Sequence, residues 1–421
     1  MIPSPLATFI EAKKSLHEIQ DHCKKDNSVL VGVFNCGGHG DKMVNIAACR
    51  AIYRQIASRL PDKAIHLTSI CTKSNTPIDR EAYMGTEKWI QSKLLIMSQA
   101  WQHMFLEFQD EFDLLFTAQY TVNAFTTNWP LFWPMVLENL QSMKLFSPFW
   151  SAFPSGNNAL ANQYRISQWD LMSLTAGFPI RPGDMYAETE PAPRLVKKVI
   201  GDLGNKPFVT IHHGQGGIGT TKCLTQEAIM AIVAQCIKMG YLAIQIGAAK
   251  DPEIPGAINL RASSMQGSAY MMKRSALHID NEGFLPYVGR AINKRCLTFF
   301  GPTPVWFFNF GPEEEFPGHY FHTSGRCEPC WWCNASWMQQ CPKGFRSCVN
   351  LASGREAASA VERALLDNDM PKGSGYVGDG RAEQFIAAPI RRSFVPPWLV
   401  SKLTGVRAPI DVNASVAEQE E

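Results

Sequence analysis

The densest run of reactive side chains is "CEPCWWCNASWMQQCPKGFRSC", Cys327 to Cys348, which gathers five of the chain's twelve cysteines and three tryptophans. A C-x2-C turn followed by a second short return can bring four thiolates around one ion tetrahedrally. Cys327, Cys330, Cys341 and Cys348 make the best four; Cys333, one short turn past the C-x2-C and followed by bulky residues, is the spare. Unliganded loop thiols and a disulfide hairpin are the competing readings. The other cysteines, Cys23, Cys36, Cys49, Cys71, Cys223, Cys236 and Cys296, lie scattered in segments that read mostly as strands or helices, as reduced core thiols do. In a reducing compartment a cluster of this kind argues for metal. Trp331, Trp332 and Trp337 would give a small loop apolar surface to fold around, so the expected ion is structural.

Two glycine turns offer further chemistry. In "NCGGHGD", Gly37, Gly38 and Gly40 allow close approach of a ligand to the backbone, and Asp41 falls in the first turn of the following helix. Helix capping alone accounts for an aspartate there; the functional alternative is a general base facing a cleft. In "HHGQGGIGTTK", Gly214, Gly216 and Gly219 have the G-x-G-x-x-G spacing of a dinucleotide turn. An NAD-dependent dehydrogenase would place an acid at the tip of the next strand, where this chain has Gln245, followed by Gly247. Thr220, Thr221 and Lys222 instead suggest a diphosphate held by one cation with hydroxyl and backbone donors. A lysine at a helix start is also often merely solvated, although the helix dipole disfavours it there without an anion.

Alternating strand and helix patterns must position these turns. In the first half the sequence predicts strands at 27–36, 64–70 and 113–117, a helix after the first glycine turn, a long helix near Glu87–Phe108, and helical stretches beyond Trp129. Residues 178–206, rich in Pro, Gly and charge, read as a linker. A second series follows: strands at 207–214, 241–247, 257–260, 276–280 and 296–301, with helices at 225–239, 266–274, 285–292 and 355–367. This order implies α/β architecture: two Rossmann-like doubly wound domains, 1–177 and 207–369, facing a cleft, with the cysteine finger in the second and a tail at 370–421.

Composition narrows the function. The 421 residues are 45% hydrophobic and 19% charged, with 40 basic residues against 38 acidic ones and no basic stripe, so nucleic acid is a poor partner. The amino terminus lacks the marks of a secretory signal and no segment is apolar over a membrane-spanning length, so a cytoplasmic protein without a transmembrane segment is expected.

The run "HIDNEGFLPYVGRAINKRCLTFFGPTPVWFFNFGP" (278–312), with "IPGAINLRASSMQGSAYMMKRSALHID" upstream and the early "GGHGD", resembles glycosyltransferase family nine, the ADP-heptose heptosyltransferases. The finger after "FGPTP" resembles that of the bacterial subgroup that modifies autotransporter adhesins. The resemblance covers 207–348 well and both domains loosely. It implies a GT-B fold; Asp41 as catalytic base; Lys222 on the donor diphosphate, the Glu282-Gly283 turn near the donor's sugar or ribose, and Gly301 to Thr303 lining the same pocket; and one structural iron, or equally zinc, on Cys327, Cys330, Cys341 and Cys348. Thr220, Thr221, Gln245 and Gly247 complete the expected donor-binding residues. The implied donor is an ADP-sugar, and the implied acceptor a protein adhesin or a lipopolysaccharide core glycan. Homo-oligomers fit the same picture. Where the family has a small residue and a histidine, this chain has Phe284 and, by alignment, Tyr287. Beside the dehydrogenase, an inactive transferase-like binding module that docks a partner through its finger is therefore the other alternative.

Overall fold

The computed structural model describes residues 5–35, 38–73, 81–97, 108, 111–118, 122–124, 167–176, 178–214, 220–308, 319–327, 330, 341, 343–345, 347–366 and 375–376. The expected helices beyond Trp129, the glycines Gly37, Gly216 and Gly219, Cys333, the three finger tryptophans and nearly all of the tail lie outside these residues.

The first sheet has the order β3-β2-β1-β4-β5, built from β1 (Val29–Asn35), β2 (Ile65–Lys73), β3 (Ser92–Met97), β4 (Leu114–Ala118) and β5 (Val122–Ala124). All its pairings are parallel except β4 with β5. Every residue of β1 is buried, because its two faces feed different cores. Leu30 and Phe34 pack with α1 (Pro5–Asp26), while Val29, Val31 and Val33 pack with α2 (His39–Arg59). A strand covered on both faces reads as the continuous apolar run "VLVGVF".

Within the expected long helix at Glu87–Phe108, residues 92–97 instead form β3, paired in register with β2 from Thr68↔Ser92 to Lys73↔Met97. "SKLLIM" is a short apolar run that periodicity alone does not assign, and sheet pairing decides it.

After α3 (Gln168–Ala176), the expected linker carries a 3-10 turn at Pro182–Asp184 and α4 (Arg194–Leu203), which buries Val196 and Leu203. The second sheet has the order β12-β11-β10-β9-β6-β7-β8, parallel throughout. It comprises β6 (Phe208–Ile211), β7 (Leu242–Gln245), β8 (Ile258–Asn259), β9 (His278–Asn281), β10 (Cys296–Phe299), β11 (His319–His322) and β12 (Gly375–Tyr376). Its connections include α5 (Gln226–Lys238), α6 (Met265–Arg274), α7 (Phe284–Ala291), α8 (Val305–Phe308) and α9 (Gly354–Leu366). The Thr225 hydroxyl caps α5 by accepting from the Ala228 amide, and Ser264 caps α6 through the Gly267 amide. Helices α5 and α9 cover one face of the sheet and α4, α6 and α7 the other.

The largest apolar cluster does not stop at the lobe boundary; it runs from α2 and β1 through α4 to α6 and α7. Among the described residues no helix is long and apolar enough to cross a membrane.

Candidate functional site

In each sheet the chain reverses its direction of strand addition once, between β1 and β4 and between β6 and β9. Crevices at the carboxyl ends of strands flanking such a reversal are where ligands of open α/β sheets bind. Both candidate turns sit at these points.

In the first lobe Asn35, the last residue of β1, donates its amide to the Ala118 carbonyl at the end of β4 (2.7 Å) and to the Asp41 carbonyl (3.3 Å). That ties the α2 start to the reversal. An Asp41 carboxylate oxygen accepts the Gly38 amide at 2.7 Å, so the capping role is realised. Asp41 remains partly exposed.

In the second lobe three residues separated in sequence converge. Lys222, in the 3-10 turn after β6, is ion-paired with Glu282 at the end of β9, and Thr303 beyond β10 donates its hydroxyl to the same carboxylate at 3.0 Å. The pair is shielded, with the lysine side chain 15% and the glutamate 9% exposed. Gly283 caps α7 directly after Glu282.

Thr221 is buried, and its carbonyl accepts the Cys348 amide at 3.3 Å. A Cβ on Gly301 would stand 3.0 Å from Cys348 Cβ and 3.2 Å from the Thr221 oxygen, so this glycine lets the finger's end close on the Lys222 turn. Thr220 opens that turn.

Gln245 takes a different role from the one expected. Its buried amide donates to the Pro252 carbonyl (2.6 Å) and accepts the Ile254 amide (2.8 Å), so the side chain holds the loop after β7. Gly247 is likewise a packing residue: at φ +133°, a Cβ there would run into Asp251 and His212.

The residue that sequence reasoning missed is His212, one position beyond β6. Its Nδ1 lies 2.8 Å from Asp280 of β9 and its Nε2 3.3 Å from Asp251 in the loop after β7. The ring therefore laces together the ends of three adjacent strands beside the reversal. Burial pushes its pKa down, but the Asp280 charge and the bonds to both carboxylates outweigh this and raise it to about 10. Those contacts and a neighbouring histidine hold Asp280 below its ordinary value despite burial. The available signal was a histidine at a strand's carboxyl end with aspartates at neighbouring strand ends.

A raised histidine pKa contributes stability that is fully present below about pH 6.5 and is lost as pH rises through about 10. Stability against thermal unfolding is expected to fall with pH between these limits, by at most about 1.4 kcal/mol per unit from this group. His212→Gln should flatten the dependence, and an equal alkaline slope in that variant would refute the assignment.

Among the described residues no three metal-ligating side chains stand close enough to hold an ion. The Cys348 thiol has its pKa raised to about 12, chiefly by burial and further by the charges of Cys330, Cys327 and Cys341. Asn350 clamps the finger's start, accepting the Cys327 amide (2.7 Å) and donating to its carbonyl (2.6 Å).

The two lobes meet through α2 and α7. The His39 and Phe284 rings lie 5.7 Å apart, Gly40 faces the ring of Tyr287, and Gln168 of α3 donates to the Tyr287 hydroxyl at 3.0 Å. Burial first, and then the nearby charges of Glu282 and Asp41, hold the Tyr287 phenol well above its ordinary pKa.

No protein-family model matches the sequence, and no curated protein matches it. The fold has solved counterparts. A glycosyl transferase family 9 structure from Veillonella parvula is similar over 81% of this chain and 98% of its own, at 12% identity and a TM-score of 0.51. The iron-containing dodecameric glycosyltransferase TibC from enterotoxigenic E. coli is similar over 81% of this chain and 77% of its own, at 11% identity and a TM-score of 0.50. At such identities the likeness shows a shared fold, the two-sheet α/β arrangement expected of a GT-B protein.

Proposed function

We propose that this chain is a glycosyltransferase that moves heptose from an ADP-heptose donor to a hydroxyl of a protein adhesin or a lipopolysaccharide core glycan. The observation that carries the reading is the convergence of Lys222, Glu282 and Thr303 at the strand reversal of the second sheet, with Asp41 at the corresponding point of the first. The second domain, 207–369, takes the nucleotide sugar and the first, 1–177, the acceptor, with 178–206 between them.

The chemistry is direct displacement. Asp41 removes the proton as the acceptor oxygen bonds to the anomeric carbon, and the bond from that carbon to the diphosphate oxygen breaks through an oxocarbenium-like state. Lys222 neutralises the departing diphosphate. Glu282, left with the Thr303 hydroxyl when Lys222 turns to the phosphates, accepts hydroxyls of the donor's sugar or ribose. None of these steps uses a metal.

A thermal unfolding series tests the reading. ADP at about a hundred times its Kd should stabilise the protein by about 2.7 kcal/mol. NAD should not, because the tip of β7 offers Gln245, already committed to its own loop, and no carboxylate for a ribose. Stabilisation by NAD alone would replace this reading with the dehydrogenase.

The four finger thiols are a donor set suited to iron or zinc, and a structural ion on Cys327, Cys330, Cys341 and Cys348 belongs to the same proposal. Elemental analysis of the purified protein should find about one such ion per chain. A folded, ADP-binding sample free of both metals would remove the ion. The dodecameric state of the TibC structure supports self-association as part of this reading.

A further inference from the structure

Phe284 and Tyr287 stand one turn apart on α7, so both project onto the same neighbour. That neighbour is the first turn of α2, where His39 meets Phe284 and Gly40 meets Tyr287. A Cβ built on Gly40 would sit 3.5 Å from two carbons of the Tyr287 ring, ordinary van der Waals contact, so the phenol faces the turn that carries Asp41 across the width of one methyl group. The ring is 5% exposed, and its hydroxyl is tethered by Gln168 from α3. Its own helix begins directly after Glu282 and Gly283, so a shift of α7 moves the donor side as well.

We propose that Tyr287 is a positioning residue: its ring seats the Gly38–Asp41 turn of the first lobe against the donor side of the second and so sets the distance between the base and the leaving diphosphate. The catalytic consequence rests on the transferase reading, whereas the seating of the turn does not. Reaction rates fall steeply when reacting groups drift by about 1 Å, so a residue that touches neither substrate can control turnover. A small or flexible side chain at this position would widen the space facing Gly40, and the Gly38–Asp41 turn would keep only the Phe284 ring, on His39, of its two described aromatic contacts from α7.

Hydrogen exchange on the full chain tests the seating directly. In Tyr287→Ala the amides of residues 38–42 should exchange about tenfold faster, while β6 and β9 keep their protection. Tyr287→Phe keeps the ring on Gly40 and should restore protection to within about threefold. Should Tyr287→Ala not fold, Gly40→Leu wedges the same contact from the other side and should give the same local exchange, with Gly40→Ala as the tolerated control. In turnover, Tyr287→Ala should lower kcat at least about tenfold with ADP affinity within about twofold, and Tyr287→Phe should recover it. Unchanged exchange at 38–42, a Phe variant as impaired as Ala, or loss of protection spread through β6 and β9 would each overturn the proposal. A wild-type protein that neither binds ADP nor transfers sugar would instead refute the function, while the exchange comparison would still decide the seating.

Discussion

Asp41→Asn is expected to lower the transfer rate by about 10²–10⁴-fold, the usual worth of a general base, while ADP affinity stays within about twofold. Asparagine is the informative replacement because Asp41 has two roles. Its carboxylate accepts the Gly38 amide at 2.7 Å, and an asparagine amide oxygen can accept the same bond, so the start of α2 stays capped while basicity is lost. Asp41→Ala removes both and should add a stability loss of about 1 kcal/mol. Steady-state kinetics and melting curves on the two variants separate the roles. Full turnover in Asp41→Asn would leave only the cap.

The second large effect concerns Lys222. Lys222→Met removes the cation proposed for the diphosphate and strands the Glu282 carboxylate, which is 9% exposed, with only the Thr303 hydroxyl among its described partners. Removing one partner of a buried pair costs about 3–5 kcal/mol, so the variant should melt lower. ADP affinity should fall by about 10²-fold, the value of a charge-assisted contact to a phosphate. Adding Glu282→Gln relieves the stranded charge: the double variant should regain stability and should not regain affinity. Affinity recovered together with stability would show that Lys222 serves the fold alone.

Much of this architecture is legible in the residues. The strands "VLVGVFN" and "FVTI" and the helix of Thr225 to Met239 stand out because their apolar periods are clean and turn residues bound them. The stretch from Glu87 misleads because its apolar spacing suits a helix, whereas pairing with β2, set by residues twenty-four positions away, makes part of it a strand. The site divides in the same way. Asp41 and Lys222 follow from glycine turns at strand ends. Their setting does not, because the Lys222 contact to Glu282 joins residues sixty positions apart and the Gln168 bond to Tyr287 spans the lobes.

Gln245 shows the converse: its place at a strand tip suggested a ligand contact, and a loop seven to nine residues further on takes up its amide. His212 sits beside a glycine turn that draws attention to phosphate chemistry, and its partners Asp251 and Asp280 become visible only once β6, β7 and β9 lie side by side. Four cysteines can be read as ligands from spacing, but whether their sulfurs meet depends on the path of the loop between them.

A crystal of the protein soaked with ADP should show the diphosphate within hydrogen-bonding distance of the Lys222 Nζ, at the reversal between β6 and β9 and on the side facing Asp41. Diphosphate density elsewhere, with Lys222 still closed on Glu282, would contradict this placement.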